Sequence, residues 1–391
     1  MKKTIKDFDL NNKKVIIRVD FNVPIKNNKI TDDNRIKASL ETINYAINNG
    51  AKVILMSHLG RVKTAEDKES KSLKIVADRL SKYLNKQVVF VPVTRGEILE
   101  NAINNLKCGD VLLMENTRFE DLNEKAESGL SDELSSYWAS LGDIFINDAF
   151  GTIHRAHASN VGISKYLPSG IGFLVENELK NLETLKNNTI HPYTVILGGA
   201  KISDKIKLID ELAKKADYVL IGGGMAFTFL KSEGFNIGSS IVDLDNLDFA
   251  NKMLKKYENK IVLPVDVVVA KEISDETETK TIDVSSFEEN DIGLDIGPKT
   301  IEIFKKYISE SNVLFTNGTM GMSEMNNFKN GTYEIASALN NKNTYVGGGD
   351  TAGQFINFGF KNYTHISTGG GATLEFLEGK DLPGLVAINE K

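Results

Sequence analysis

KVIIRVDF (residues 14–21), NRIKASLETINYAINNG (34–50) and AKVILMSH (51–58) follow one another near the start of the chain, and their order decides the fold class. A β-branched run, apolar residues at helical spacing and a second β-branched run predict a strand–helix–strand unit. Because both runs are apolar on successive residues, their strands belong in a parallel sheet covered by helices on both faces. The alternation continues through SLKIVADRLSKYL (72–84) and QVVFV (87–91). It returns after residue 190 with YTVILGG (193–199), DKIKLIDELAKKA (204–216), DYVLIGG (217–223), MAFTFLKSEG (225–234), KIVLPVDVV (260–268), SNVLFTNG (311–318), NTYVGGG (343–349) and THISTGGG (364–371). That is too many strands for one sheet, and 391 residues exceed one ordinary core. The expected fold is therefore α/β, with two Rossmann-like, doubly wound parallel-sheet domains. LVENELKNLETLKNN (174–188) carries a narrow apolar stripe and reads either as a hinge helix joining them or as a peripheral helix of the first. The acidic stretch 271–293 reads as an exposed β excursion.

Apolar residues at 41% and charged residues at 26% describe an ordinary globular protein, and a net charge of -6 offers no footprint for nucleic acid or an anionic membrane. No apolar run approaches the roughly 18 residues of a membrane span. The start MKKTIKDFDLNNKK lacks an apolar leader, and the single Cys108 has no internal partner, so a cytoplasmic protein is expected. The seven arginines (18, 35, 61, 79, 95, 118 and 155) all lie in the first 155 residues, whereas the glycine clusters at 198–199, 222–224, 347–349 and 369–371 lie in the second half. Arginine grips carboxylate and phosphate through two donors, and bare glycine lets backbone N–H groups approach phosphates. The two halves are expected to hold different anions.

In open α/β sheets ligands bind beyond the carboxyl ends of the strands. There the first half places Asp20 and Asn22, SHLGR with His58 and Arg61, ENTRFE with Arg118, and AFGTIHRAH with His154, Arg155 and His157; Arg35 opens the first helix. Singly these are surface or internal ion pairs, the reading favoured for Arg18; together they suit a small polyanion. In the second half GGAKISDKI (198–206) fails the P-loop spacing but sets Lys201 and Lys205 where a helix should begin near Ile202 or Ser203. They are either solvated or facing an anion. GGGDTAG (347–353) fits GxGxxA, yet no carboxylate closes the next strand as a dinucleotide site requires. Asp350 in that turn suits a phosphate-bridging Mg²⁺, an N-cap for a helix starting near Thr351, or both.

RVDFNVP (18–24), DDNRI (32–36), SHLGR (57–61), ENTRF (115–119), NDAFGTIHRAHAS (147–159), GGAKISDKI, LPVDVVVA (263–270), DIGPKT (295–300), GGGDTAG and STGGGATLEFLEG (367–379) appear in the order of the phosphoglycerate kinase family, which the chain resembles over essentially its whole length. The resemblance implies a hinge-bending, monomeric kinase of glycolysis whose co-substrates are ATP and ADP with Mg²⁺. Residues 1–172 would bind 3-phosphoglycerate or 1,3-bisphosphoglycerate, 173–378 the Mg-nucleotide, and the tail 379–391 would return to the first domain. It implies acid-substrate contacts from Asp20, Phe21, Asn22, Arg35, His58, Leu59, Gly60, Arg61, Arg118 and Arg155. Nucleotide contacts would come from Lys205, Gly293, Asn317, Glu324, Gly347, Gly348, Gly349, Asp350 and Thr351, with Asp350 towards the metal. Arg35 and Lys201 would act on the phosphoryl group in flight. Val62 replaces a usual proline, Thr319 another, and Ser323 an aromatic residue. Another acyl-phosphate-forming kinase and a non-catalytic regulator are the alternative functions.

Overall fold

The computed structural model describes residues 1–203 and 205–391. The chain divides into two compact units, Met1–Lys180 with Asp381–Lys391, and Asn181–Lys380. The division falls inside the helix Phe173–Lys186.

The first unit contains β1 (Lys14–Val19), the small hairpin β2 (Ile25–Lys26) and β3 (Lys29–Ile30), β4 (Lys52–Met56), β5 (Val88–Val91), β6 (Val111–Met114), β7 (Ile144–Asp148) and β8 (Ser169–Ile171). Six of these form a parallel sheet in the order β5-β6-β4-β1-β7-β8. β1 is buried on both faces because helices cover both. Val15, Ile17 and Val19, continued by Phe21, pack with Ile36 and Ile43 of helix Asn34–Asn48 and with Val76 and Leu80 of helix Lys74–Leu84. The chain leaves β1 for β4 on one side and leaves β7 for β8 on the other, so the topological switch lies between β1 and β7. The C-terminal segment packs on this unit. Ser169 and Asn389 exchange hydrogen bonds of 2.8 and 3.2 Å, Lys2 Nζ donates to Ile388 O at 2.8 Å, and Ile388 is buried.

The second unit repeats the plan with β9 (Tyr193–Leu197), β10 (Tyr218–Ile221), β11 (Ile261–Val262), β12 (Asp266–Ala270), β13 (Lys280–Asp283), β14 (Ile292–Ile296), β15 (Val313–Asn317), β16 (Thr344–Gly347) and β17 (His365–Ile366). The parallel sheet runs β11-β10-β9-β15-β16-β17, and its switch lies between β9 and β15. Ile196, Leu220, Leu314 and Val346 form one sheet face and pack on Ile301, Phe304 and Ile308 of helix Pro298–Glu310. KIVLPVDVV, expected as one strand, is two: β11 joins the parallel sheet, while β12 pairs antiparallel with β13 and β14. Pro264 lies between them and cannot donate to a ladder, which lets the chain change sheets. β13 is largely exposed.

Candidate active site

At the switch of the first unit Asp20, Arg35, His58 and Arg118 lie within electrostatic reach of one another. Asp20 follows β1; Arg35, in the first turn of helix Asn34–Asn48, is hydrogen-bonded to its carboxylate. Burial alone would raise the Asp20 pKa, but the guanidinium groups of Arg35 and Arg18 hold it below the ordinary carboxylate value. The turn after β4 is pinned from two sides: Gly60 N donates to Asn22 Oδ1 at 2.8 Å, and Asn116 Nδ2 donates to Leu59 O at 2.8 Å. Gly60 takes φ +63°, where a side chain would be strained. Phe21 and Leu59 are core residues whose backbone N–H groups donate to Ser57 Oγ and Asn116 Oδ1, so they shape the turns rather than present free donors. Arg61 follows β4 and is exposed; Arg118 follows β6 and lies 3.4 Å from Asp121; Arg155 follows β7 and donates to His154 Nε2 at 3.2 Å. Arg18, expected in an internal salt bridge, is buried but instead donates to Ser159 Oγ, the Val19 carbonyl and His58 Nδ1. Burial and the adjacent Arg18 push the His58 pKa well below its ordinary value, so the ring is neutral.

At the switch of the second unit Lys205 is buried, and its Nζ donates to the carbonyls of Gly198 and Asn317, at 2.5 and 3.1 Å, where β9 and β15 end. The helix was expected from Ile202 or Ser203; it begins at Ile206 with Lys205 as its N-cap. A turn from Lys205 N to Ile202 O precedes it, and Asp243 Oδ2 accepts from Ser203 N. Two carbonyl oxygens thus hold an ammonium group that the helix dipole alone would disfavour. Lys201 lies exposed on the same turn.

Asn317 Nδ2 donates to Gly347 O at 2.7 Å, and Thr351 Oγ1 accepts from Gly318 N at 2.8 Å, which draws the ends of β15 and β16 together. Gly348 has φ +93°, and a Cβ there would stand 2.8 Å from Asn317 Nδ2. Asp350 is not the N-cap: Gly348 caps the helix Gly349–Asn357, and Asp350 sits exposed in its first turn. That leaves its carboxylate directed by no cap bond. Beside these turns lies a mostly apolar cavity of 480 Å³, lined among others by Gly199, Phe227, Gly293, Leu294, Met320 and Glu324.

The pinning residue Asn116 and the walls Phe227 and Met320 were not found from sequence. An asparagine beside an arginine and apolar residues inside helical or turn segments carry no periodic signal of such roles.

Two doubly wound α/β units, one with cationic side chains and one with glycine turns at its switch point, define a two-domain α/β protein of the class whose ligands bind at sheet ends. The sequence model of the phosphoglycerate kinase family matches residues 5–380, and the chain belongs to that family. It is 56% identical over 398 residues to the phosphoglycerate kinase of Fusobacterium nucleatum subsp. nucleatum and 55% identical over 395 residues to that of Enterococcus faecalis, with 100% of each chain covered in both cases. Its fold is similar to that of the phosphoglycerate kinase from Coxiella burnetii, with a TM-score of 0.86 and 37% identity over 99% of this chain and 98% of that one. The enzyme from Pyrococcus horikoshii OT3 matches with a TM-score of 0.86 and 32% identity over 98% of both chains.

Proposed function

We propose that the chain catalyses reversible transfer of the acyl phosphate of 1,3-bisphosphoglycerate to ADP, giving 3-phosphoglycerate and ATP. The observation that carries this reading is the pair of switch-point sites, cationic in one unit and glycine-lined in the other, in a chain that belongs to the phosphoglycerate kinase family throughout. In the first, Asp20, Asn22, Arg35, His58, Arg61, Arg118 and Arg155 bind the acid substrate, with Phe21, Leu59 and Gly60 shaping the turns that carry them. In the second, Lys205, Gly293, Asn317, Glu324 and the turn Gly347, Gly348, Gly349, Asp350 and Thr351 bind the nucleotide.

The exposed carboxylate of Asp350, beside a turn of bare backbone, fits Mg²⁺, a hard cation that takes one or two carboxylates plus phosphate oxygens and water. Asp350 together with the nucleotide phosphates would hold it. When bound, the cation neutralises charge on the phosphates.

An ADP β-phosphate oxygen attacks the acyl phosphorus in line as the bond to the carboxylate oxygen breaks. The leaving carboxylate is already a stable anion, so no general acid is needed. Catalysis is then positioning and stabilisation of the moving charge, assigned to Arg35 and Lys201. The two ligands must meet, so closure about the helix Phe173–Lys186 belongs to the mechanism. The protein is proposed to work as a cytoplasmic monomer on small molecules.

A coupled turnover assay tests the reading. The enzyme should phosphorylate 3-phosphoglycerate with ATP but not acetate or carbamate. Arg35→Ala and Lys201→Ala should each lower kcat by about 10²- to 10³-fold. Near-parental kcat in both variants removes these two assignments, and absence of turnover in the parent removes the function.

A further inference from the structure

Beneath the acid-substrate site of the first unit lies a polar chain that no ligand contact explains. Arg18, Ser159 and Glu127 are each 0–1% exposed. Glu127 accepts from Ser159 N at 2.9 Å and from Ser159 Oγ; Ser159 Oγ accepts from Arg18 Nε at 2.9 Å; and Arg18 Nη2 lies 3.2 Å from His58 Nδ1. The Val19 carbonyl takes a further guanidinium donor. A buried carboxylate thus balances a buried guanidinium through a serine, and the direction of every bond is determined. Arginine can only donate, so His58 Nδ1 must be the acceptor, and a neutral ring then carries its proton on Nε2. Among the described residues none accepts from that Nε2.

We propose that Glu127, Ser159 and Arg18 are positioning residues that lock His58 in the neutral Nε2–H tautomer, so that the ring serves the acid substrate as a fixed donor. The inference rests on the acid-substrate reading of His58. His58 touches the ligand; the other three act through it. The relay also explains why an arginine stands on a buried strand where the parallel sheet would otherwise take an apolar residue. Its guanidinium fills that place and points one donor at the ring.

The tautomer can be read without turnover. The chain has five histidines, so ring ¹⁵N spectra of the full-length protein can be assigned through His58→Gln. The parent should show His58 protonated on Nε2 and not titrating between about pH 5 and 8. Ser159→Ala and the isosteric Glu127→Gln should give a His58 ring of mixed tautomer, still neutral, with His191 and His365 of the second unit unchanged; His157, whose Nδ1 lies 3.8 Å from Glu127 Oε1, is expected to shift as well. They should also raise KM for 3-phosphoglycerate about tenfold and leave KM for ATP alone. Adding Ser159→Ala to His58→Gln should then cost nothing further. A parent ring protonated on Nδ1 overturns the proposal even if both variants misfold, as does an unmoved His58 spectrum in the folded variants. A locked Nε2–H ring in a parent that does not turn over 3-phosphoglycerate sinks the functional reading instead, and with it the role as donor.

Discussion

Gly293 has no room for a methyl group: a Cβ there would lie 2.1 Å from the ring of Phe227, which lines the apolar cavity. Gly293→Ala should cost about 1–3 kcal/mol of stability through overpacking. Because the displaced ring enters the cavity, KM for ADP should rise while KM for 3-phosphoglycerate stays put. Calorimetry and steady-state kinetics check both, and unchanged KM for ADP would separate this wall from the nucleotide site. The departures at 319 and 323 also resolve at this scale. Thr319 works through its carbonyl, which accepts from Gly199 N at 3.1 Å and leaves no space for a side chain at Gly198. A proline has the same carbonyl, so the exchange preserves the turn. Ser323 is buried, and among the described residues none hydrogen-bonds its hydroxyl. The arginines were legible because an ionised group at a strand end needs a counter-charge or a ligand. Glu127 was not, since nothing in DLNEKAESG shows which of its carboxylates is buried.

The segments LPVDVVVA and DIGPKT meet at one helix end. Asp266, at the start of β12, accepts from Lys299 N, Thr300 N and Thr300 Oγ1 at 3.0, 2.8 and 2.7 Å, capping the helix Pro298–Glu310 from a distant strand. A Cβ on Gly297 would stand 2.3 Å from that carboxylate, so the glycine makes room for the cap, and Pro298 supplies a preset first turn. Asp266→Ala strands buried donors and should destabilise the protein by about 1–3 kcal/mol. Chemical denaturation measures this, and a loss under about 0.5 kcal/mol, the range of ordinary surface changes, would refute the cap. Although β11 and β12 were read as one, most strands of the two parallel sheets were readable from their apolar runs. The late start of the helix Ile206–Ala213 was not, because Lys205 folds back onto carbonyls contributed by two strands far apart in sequence.

The pH dependence of stability belongs to the whole chain. Burial raises Asp295 to about 7 and Asp148 to about 6. Their folded pKa values exceed the unfolded value near 3.9, so their contribution is complete below about pH 4 and is lost as pH rises towards 6 and 7. Asp33 has the opposite sign. Burial opposes its ionisation, but hydrogen bonds from Lys37, Tyr83 and Arg79 hold it at about 2, so its stabilisation is present above about pH 4 and disappears in acid. Asp295 accepts from Gly331 N at 2.7 Å and Ile296 N at 2.9 Å. Asp295→Asn, losing one of these bonds, should melt lower at pH 5 but show a flatter fall in Tm between pH 5 and 8. Parallel Tm-versus-pH curves for parent and variant would count against the assignment.

The sequence by itself determined the two parallel α/β sheets, the exposed excursion and the family. Apolar period, strand-end charge and the order of signature segments are local properties that need no third dimension. Tertiary structure alone decided where β11 ends and β12 changes sheet, that Lys205 is anchored on two carbonyls, and that Arg18 donates to His58, Ser159 and the Val19 carbonyl rather than directly to a carboxylate. Each of those depends on which distant groups become neighbours once water is excluded, and buried polar atoms must take the partners that folding brings.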